Sequence, residues 1–126
     1  MLKRRYIQVL TTTATKADAQ AVANALIESR LAGCVQVVGP IASTYWWRGE
    51  IETTEEWLCV VKSRQDLYAA LEKAILEVHP YEVPEILVVP VTGGSTGYLE
   101  WLDGELGEGV IDGRATDHPR VMKAHG

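Results

Sequence analysis

Residues 34–62 read CVQVVGPIASTYWWRGEIETTEEWLCVVK, and this stretch decides the fold. Its β-branched and aromatic content predicts two long strands, Cys34 to Trp47 and Glu50 to Lys62, turning at Arg48-Gly49 and interrupted by Gly39-Pro40. Strands average about 5 to 6 residues, so one helix layer cannot cover segments of this length. The excess is expected to pair with or cover another subunit. Trp46, Trp47, Ile51 and Trp57 support that expectation, because aromatics of this density near the far end suggest an oligomer interface. A hairpin folded back on its own domain is the competing reading. Pairing from the turn places Val38 opposite Cys59, with Cys34 four residues further along, roughly 13 Å away and beyond disulfide reach. Free thiols follow.

On the N-terminal side, Tyr6 to Thr12 reads as a first strand. Thr15 with Asp18 makes a weak capping box for a helix that sets Ala19, Val22, Ala23, Leu26, Ile27 and Arg30 on one face, with Gly33 as its stop. On the C-terminal side, Ser63 with Asp66 opens a second helix, striped by Leu67, Ala70, Leu71, Ala74, Ile75 and Val78. The stiff loop His79-Pro80-Tyr81-Glu82-Val83-Pro84-Glu85 ends it. Glu85 to Val91 is a near-continuous apolar run and reads as a central or interface strand, with Pro90 marking an edge or the end of pairing. A short helix, Tyr98 to Leu106, follows Thr92-Gly93-Gly94-Ser95-Thr96-Gly97.

The order β-α-β-β-α-β plus a short helix predicts an α+β, ferredoxin-like sandwich over residues 1–106, with both helices on one face of an antiparallel sheet. Residues 107–126 lack periodicity and read as a mobile tail, or as an arm ordered only against a neighbour. Apolar residues at both parities, as in Val35, Val37 and Val38 or Leu58, Cys59, Val60 and Val61, need cover on both sides, and oligomerisation supplies it.

Composition excludes some functions. With 126 residues and 47% hydrophobic content the chain suits one core. A formal charge of -5, with only Lys3-Arg4-Arg5 as a basic cluster, argues against nucleic acid, which needs a broad positive surface. The longest apolar stretches are strand-sized and no signal-like segment follows the basic cluster, so a soluble, cytoplasmic protein and no membrane partner are expected. Two cysteines give no disulfide framework.

Several spaced segments resemble the CutA divalent-cation tolerance family. They are Arg30-Leu31-Ala32-Gly33-Cys34-Val35, Tyr45-Trp46-Trp47-Arg48-Gly49, Lys62-Ser63, the His79 to Glu85 loop, and Tyr98-Leu99-Glu100-Trp101, and the match covers about Tyr6 to Leu102. The resemblance implies a ferredoxin-like homotrimer, similar in assembly to the PII signalling proteins, with clefts between subunits and a link to copper tolerance and copper binding. It implies no enzymatic reaction and no required cofactor. The copper ligands proposed for some bacterial members are a Cys at the end of the first strand and two consecutive histidines at the second helix end. Here those positions are Thr11 and Val78-His79, so His79 alone remains of that set.

For copper(II) or another divalent cation, the candidate ligands are His79, Cys34, Glu82 and Glu85, donated by one or more subunits. A lone histidine at a helix end also serves as a structural cap, and Cys34 also serves as a small core hydrophobe. Lys62, Tyr81, Tyr98 and Trp101, with Glu82, are candidates for an intersubunit cleft that binds a small anionic or polar metabolite, as a PII-like sensor or scaffold would. No Gly-x-Ser-x-Gly, His-Glu-x-x-His or Gly-x-x-x-x-Gly-Lys motif is present, so no enzyme is expected, a His79 and Glu82 acid/base pair being the catalytic alternative.

Overall fold

A computed structural model describes residues 5–108. Its elements are β1 (Tyr6–Thr13), α1 (Lys16–Glu28), β2 (Cys34–Trp47), β3 (Glu50–Arg64), α2 (Tyr68–Val78), β4 (Leu87–Val91) and α3 (Thr96–Glu105). The period-2 alternation of β1 places it centrally. Ile7, Val9, Thr11 and Thr13 are buried on one face, and the strand pairs antiparallel with both β3 and β4 in a sheet ordered β2-β3-β1-β4. On that face Ala19, Val22 and Leu26 of α1 and Leu71 and Ile75 of α2 meet Cys59 and Val61 of β3 in one core. This is the expected ferredoxin-like α+β layering, but β4 is shorter than expected, Leu87–Val91, and lies on the sheet edge rather than centrally.

Thr15 caps α1 as expected, its hydroxyl accepting from the Asp18 amide at 3.1 Å. The stop differs. Arg30, at φ 63, takes the left-handed position, while the amides of Arg30 and Leu31 bond the carbonyls of Ile27 and Leu26 in a Schellman closure. Arg30 and Ile27 therefore point to solvent rather than onto the apolar stripe. Gly33 serves a different end. A Cβ there would sit 2.5 Å from Leu102 Cδ1, so its bareness lets α3 approach.

Ser63 does not open α2. It is a buried β3 residue whose hydroxyl donates to the Leu31 carbonyl at 2.7 Å. A 3-10 turn, Gln65–Leu67, intervenes, and Asp66 turns to Arg64 instead. The competing tertiary bonds outweigh a local capping preference worth about 1 kcal/mol.

Hairpin pairing runs from Trp47↔Glu50 to Ile41↔Glu56, then shifts: Val38 pairs Leu58 and Val37 pairs Cys59. Gly39 and Pro40 together oppose Trp57, a β-bulge that moves the expected register by one residue. A Cβ on Gly39 would stand 2.5 Å from the Trp57 ring, so the ring occupies the space over the bulge. Trp57 packs against the core and under the Lys16 ammonium, 5.7 Å from its centroid. It is thus a core-edge residue, not one of the exposed hairpin-tip aromatics. Trp46, Trp47 and Ile51 are exposed.

Thr11 Oγ1 is buried with no hydrogen-bond partner among the described residues. An unmet buried hydroxyl costs about 1–3 kcal/mol. Thr11→Val, of matching shape, is expected to raise unfolding stability by about 1 kcal/mol, visible as a higher denaturant midpoint at unchanged slope; a lower midpoint would refute the assignment.

The expected tail boundary also moves. The Gly107 amide donates to the Arg30 carbonyl at 2.9 Å and its carbonyl accepts from Arg64, so the fold includes Gly107. Residues 109–126 of the expected tail lie outside the described residues.

Candidate functional site

The sheet face opposite the helices carries Gln8, Leu10, Leu58 and Val60, with Val38, Leu87 and Val89 exposed on the flanking strands. Chemistry-bearing side chains collect at its two ends.

At the first end, α2 stops and the Pro-rich loop turns under β1. His79 is 8% exposed. Its Nε2 lies 2.8 Å from the Thr12 carbonyl, and its Nδ1 accepts the Tyr81 amide at 3.1 Å. A carbonyl only accepts and an amide only donates, so the partners dictate the neutral Nε2–H tautomer. The ring packs 4.9 Å from the Tyr81 ring, and the Tyr81 hydroxyl donates to Glu56 Oε2 at 2.8 Å. Burial, then the Glu56 carboxylate, push the Tyr81 phenol up to about 12.

Above this loop the hairpin projects past the sheet. The register set by the Arg48-Gly49 turn puts odd-numbered Ser43, Tyr45 and Trp47 on the same side as even-numbered Glu52, Thr54 and Glu56. With Thr12, Glu55, Tyr81, Glu82, Val83 and Glu85 they enclose a cleft of about 840 Å³. Tyr45 is steadied by a 3.2 Å bond between its hydroxyl and Thr54 Oγ1.

At the second end, α3 packs Leu102 and Leu106 on Leu67, with Tyr6, Leu31, Tyr98 and Trp101 around them. Arg64, 2% exposed, holds this end together. Its guanidinium donates to Asp66 at 2.9 Å, to Asp103 at 2.8 Å and to the Gly107 carbonyl at 2.6 Å. Burial works against its charge, but the two carboxylates more than offset that and raise its pKa. Lys62 pairs across the strands with Cys34, which neighbours Tyr98. Burial and then Cys34 push the Tyr98 phenol above its usual value. The Tyr98 and Trp101 rings stack tilted at 5.5 Å.

The expected sets are thus divided. His79, Tyr81, Glu82 and Glu85 stand at the Thr12 end; Cys34, Lys62, Tyr98 and Trp101 stand at the other, four β1 residues or roughly 13 Å away. Cys34 cannot join His79 around one ion within a protomer. The donor chemistry of the remaining set does not fit copper either, because both His79 nitrogens are committed to the backbone. Among the described residues no three His, Cys, Asp or Glu side chains form a group that could hold a metal ion. Thr11 faces the helix layer, away from the cleft lined by Thr12. Both cysteines are free thiols.

Sequence reasoning missed Glu52, Glu55, Glu56 and Tyr45 as cleft residues and Arg64 as the organiser of α3. Acids at 50, 52 and 56 alternate as on any solvated strand face, and only the position of the loop turns them into a wall.

A model of the CutA1 divalent ion tolerance proteins matches residues 7–105. The chain belongs to the CutA1 family. It is 40% identical over 96 residues to the chloroplastic CutA 1 of Oryza sativa, covering 76% of this chain and 54% of that one. It is 40% identical over 100 residues to the divalent-cation tolerance protein CutA of Pectobacterium atrosepticum, covering 79% and 91%. The chain therefore spans about half the length of the plant CutA relatives and nearly all of the bacterial one. The crystal structure of CutA1 from Oryza sativa superposes with a TM-score of 0.80 at 38% identity, covering 82% of this chain and 95% of that one. A CutA1 structure from Thermus thermophilus gives 0.78 at 37%, covering 81% and 99%. Compartment varies among CutA proteins: the plant relatives are named chloroplastic and an Archaeoglobus fulgidus structure is described as periplasmic. Among the described residues no helix is long and apolar enough to cross a membrane.

Proposed function

We propose that this chain serves divalent-cation tolerance as a homotrimeric binding protein rather than an enzyme, with its ligand sites completed between protomers. One observation carries the reading: the residues expected to act together lie at opposite ends of one open, apolar sheet face. An acidic, phenolic end on one copy and a lysine and aromatic end on the next suit a head-to-tail contact, which closes into a ring. The exposed edge residues Leu87, Val88 and Val89 offer β4 for pairing with a neighbour. Two free thiols suit a reducing compartment such as the cytoplasm.

Sedimentation velocity is expected to give one species of three chains, and Leu87→Lys to give monomers with unchanged far-UV circular dichroism. A monomeric parent protein would sink the proposal. Copper(II) titration is expected to give the same affinity, within about threefold, for the parent and a His79→Gln variant, since Gln can reproduce one donor and one acceptor. Submicromolar binding lost on that change would restore the histidine as a ligand.

The alternative, a PII-like sensor of a small anionic metabolite, is favoured by the contiguous Lys62, Cys34, Tyr98 and Trp101, which join a point charge to aromatic faces.

A further inference from the structure

We propose that the Pro-rich loop is an acid-sensitive latch, held closed on the sheet by neutral His79 and released when that ring takes up a second proton. This goes beyond the tolerance reading and depends neither on a bound metal nor on the number of chains in the assembly.

The latch is a short series of contacts. The Thr12 carbonyl of β1 fixes the His79 ring through Nε2 at 2.8 Å, and Nδ1 accepts the Tyr81 amide at 3.1 Å. Tyr81 packs on the same ring, with centroids 4.9 Å apart, and its hydroxyl reaches Glu56 of β3 at 2.8 Å. One imidazole therefore joins the end of α2 to β1 and, through Tyr81, to the hairpin. Among the described residues, 80–85 make no hydrogen bond or ion pair beyond the two of Tyr81.

Every polar contact of the ring depends on its proton count. A carbonyl only accepts, so Nε2 carries the single proton and Nδ1 the lone pair. A second proton has only Nδ1 to go to. There it would turn the acceptor into a donor facing the Tyr81 N–H, and the amide would lose its partner. With 8% exposure, an imidazolium in this position would also need a counter-ion. Among the described residues no carboxylate forms an ion pair with His79. On β3, Glu56 is engaged by Tyr81, whose phenol also feels Tyr45 of β2 and Asp18 of α1. Glu77 of α2 and Glu82 and Glu85 of the loop are exposed to water, and β1 offers the Thr12 carbonyl alone. The charged ring thus fits only the released loop, where water solvates it. Because the closed loop excludes the proton and the released loop accepts it, release is favoured as pH falls through the range in which histidine charges, about pH 8 to 5.

The test is hydrogen exchange of the Tyr81 amide in the full chain between about pH 7.5 and 5, expressed as a protection factor so that the intrinsic pH dependence of exchange cancels. The expected result is a protection factor that falls about tenfold or more, while that of Val9 in the centre of β1 stays constant within about threefold. His79→Gln, which supplies one donor and one acceptor without titrating, should show no such fall. Glu56→Gln, which keeps an acceptor for Tyr81, should retain it. Nitrogen-15 shifts of the His79 ring in the parent protein add a reading that needs no variant. They should report the Nε2–H tautomer at about pH 7.5, with the imidazolium appearing at the pH where Tyr81 loses protection. Constant Tyr81 protection, a fall that persists in His79→Gln, a parallel fall at Val9, or an imidazolium that forms while the Tyr81 amide stays protected would each overturn the proposal. Sedimentation at each pH reads the number of chains separately, so failure of the latch and failure of the trimer are distinguishable.

Discussion

Arg64→Ala is expected to lower the unfolding free energy by about 3–5 kcal/mol, the range for breaking a buried ion pair by removing one partner. The guanidinium is 2% exposed and meets two aspartates and the Gly107 carbonyl, so its removal leaves a cavity and strands three acceptors. The loss should not be spread evenly. Asp103 belongs to α3, and without Arg64 that end keeps its apolar packing through Tyr98, Trp101, Leu102 and Leu106 and the Arg30 bond to the Glu105 carbonyl, but loses its buried ion pair. Urea unfolding at fixed protein concentration measures the total, and amide hydrogen exchange of α3 reports whether it opens first. Arg64→Met restores volume without charge and should recover part of the stability. A loss below about 1 kcal/mol for Arg64→Ala, in the range of exposed ion pairs, would show that the cluster is only a surface network.

The second large effect is alkaline. Burial alone pushes the Cys59 thiol from 9.0 up to about 11, beneath α1, where it donates to the Ala19 carbonyl at 3.6 Å. Folding favours the protonated thiol, so the contribution is complete below 9.0 and disappears as pH rises towards about 11. A difference of that size corresponds to about 3 kcal/mol. Tyr81, raised from 10.0 to about 12, extends the same decline at higher pH. Denaturant midpoints measured between about pH 8 and 11 should therefore fall steeply, and Cys59→Ala, though less stable throughout, should flatten the part of the slope due to the thiol. A midpoint insensitive to pH across that window would place Cys59 in contact with water.

The fold was legible because hydrophobic period is decisive where elements are long. The stripe of α2 and the alternation of β1 admit one reading each, and the length of β2 and β3 declared a hairpin. What escaped depended on contacts far apart in sequence. Nothing local distinguishes Ser63 as a cap from Ser63 as a buried strand hydroxyl until Leu31 arrives over it. Gly33 resembled a helix stop because glycine usually is one, whereas Arg30 accepted the left-handed position and the glycine was needed under α3. His79 stood out correctly as a constrained residue, but its two backbone partners come from β1 and from the loop itself, and they make it a strut. The acidic cleft was invisible for the same reason, since its walls are distant along the chain and are joined by the Tyr81 to Glu56 bond.

The Gly39-Pro40 bulge behaves as a length absorber. Val38 opposite Leu58 and Ile41 opposite Glu56 leave two β2 residues against the single Trp57, so β2 carries one residue more than its partner over the same span. Removing either bulge residue would bring those two pairings into one unbroken ladder, and Tyr45 and Trp47 would still share a side with Glu52 and Glu56. What would vanish is the added bend and twist that a bulge gives its strand, and with it the angle at which the arm leans over the Pro-rich loop. Aperture and lining are therefore governed separately. A relative one residue shorter here would keep the same acids and rings yet hold them at another spacing, whereas a deletion beyond the bulge, at Ala42 for example, would either shift the arm out of register or consume the bulge to restore it. Length changes in this arm are buffered, and their effect falls on the width of the cleft before it falls on the identity of its walls.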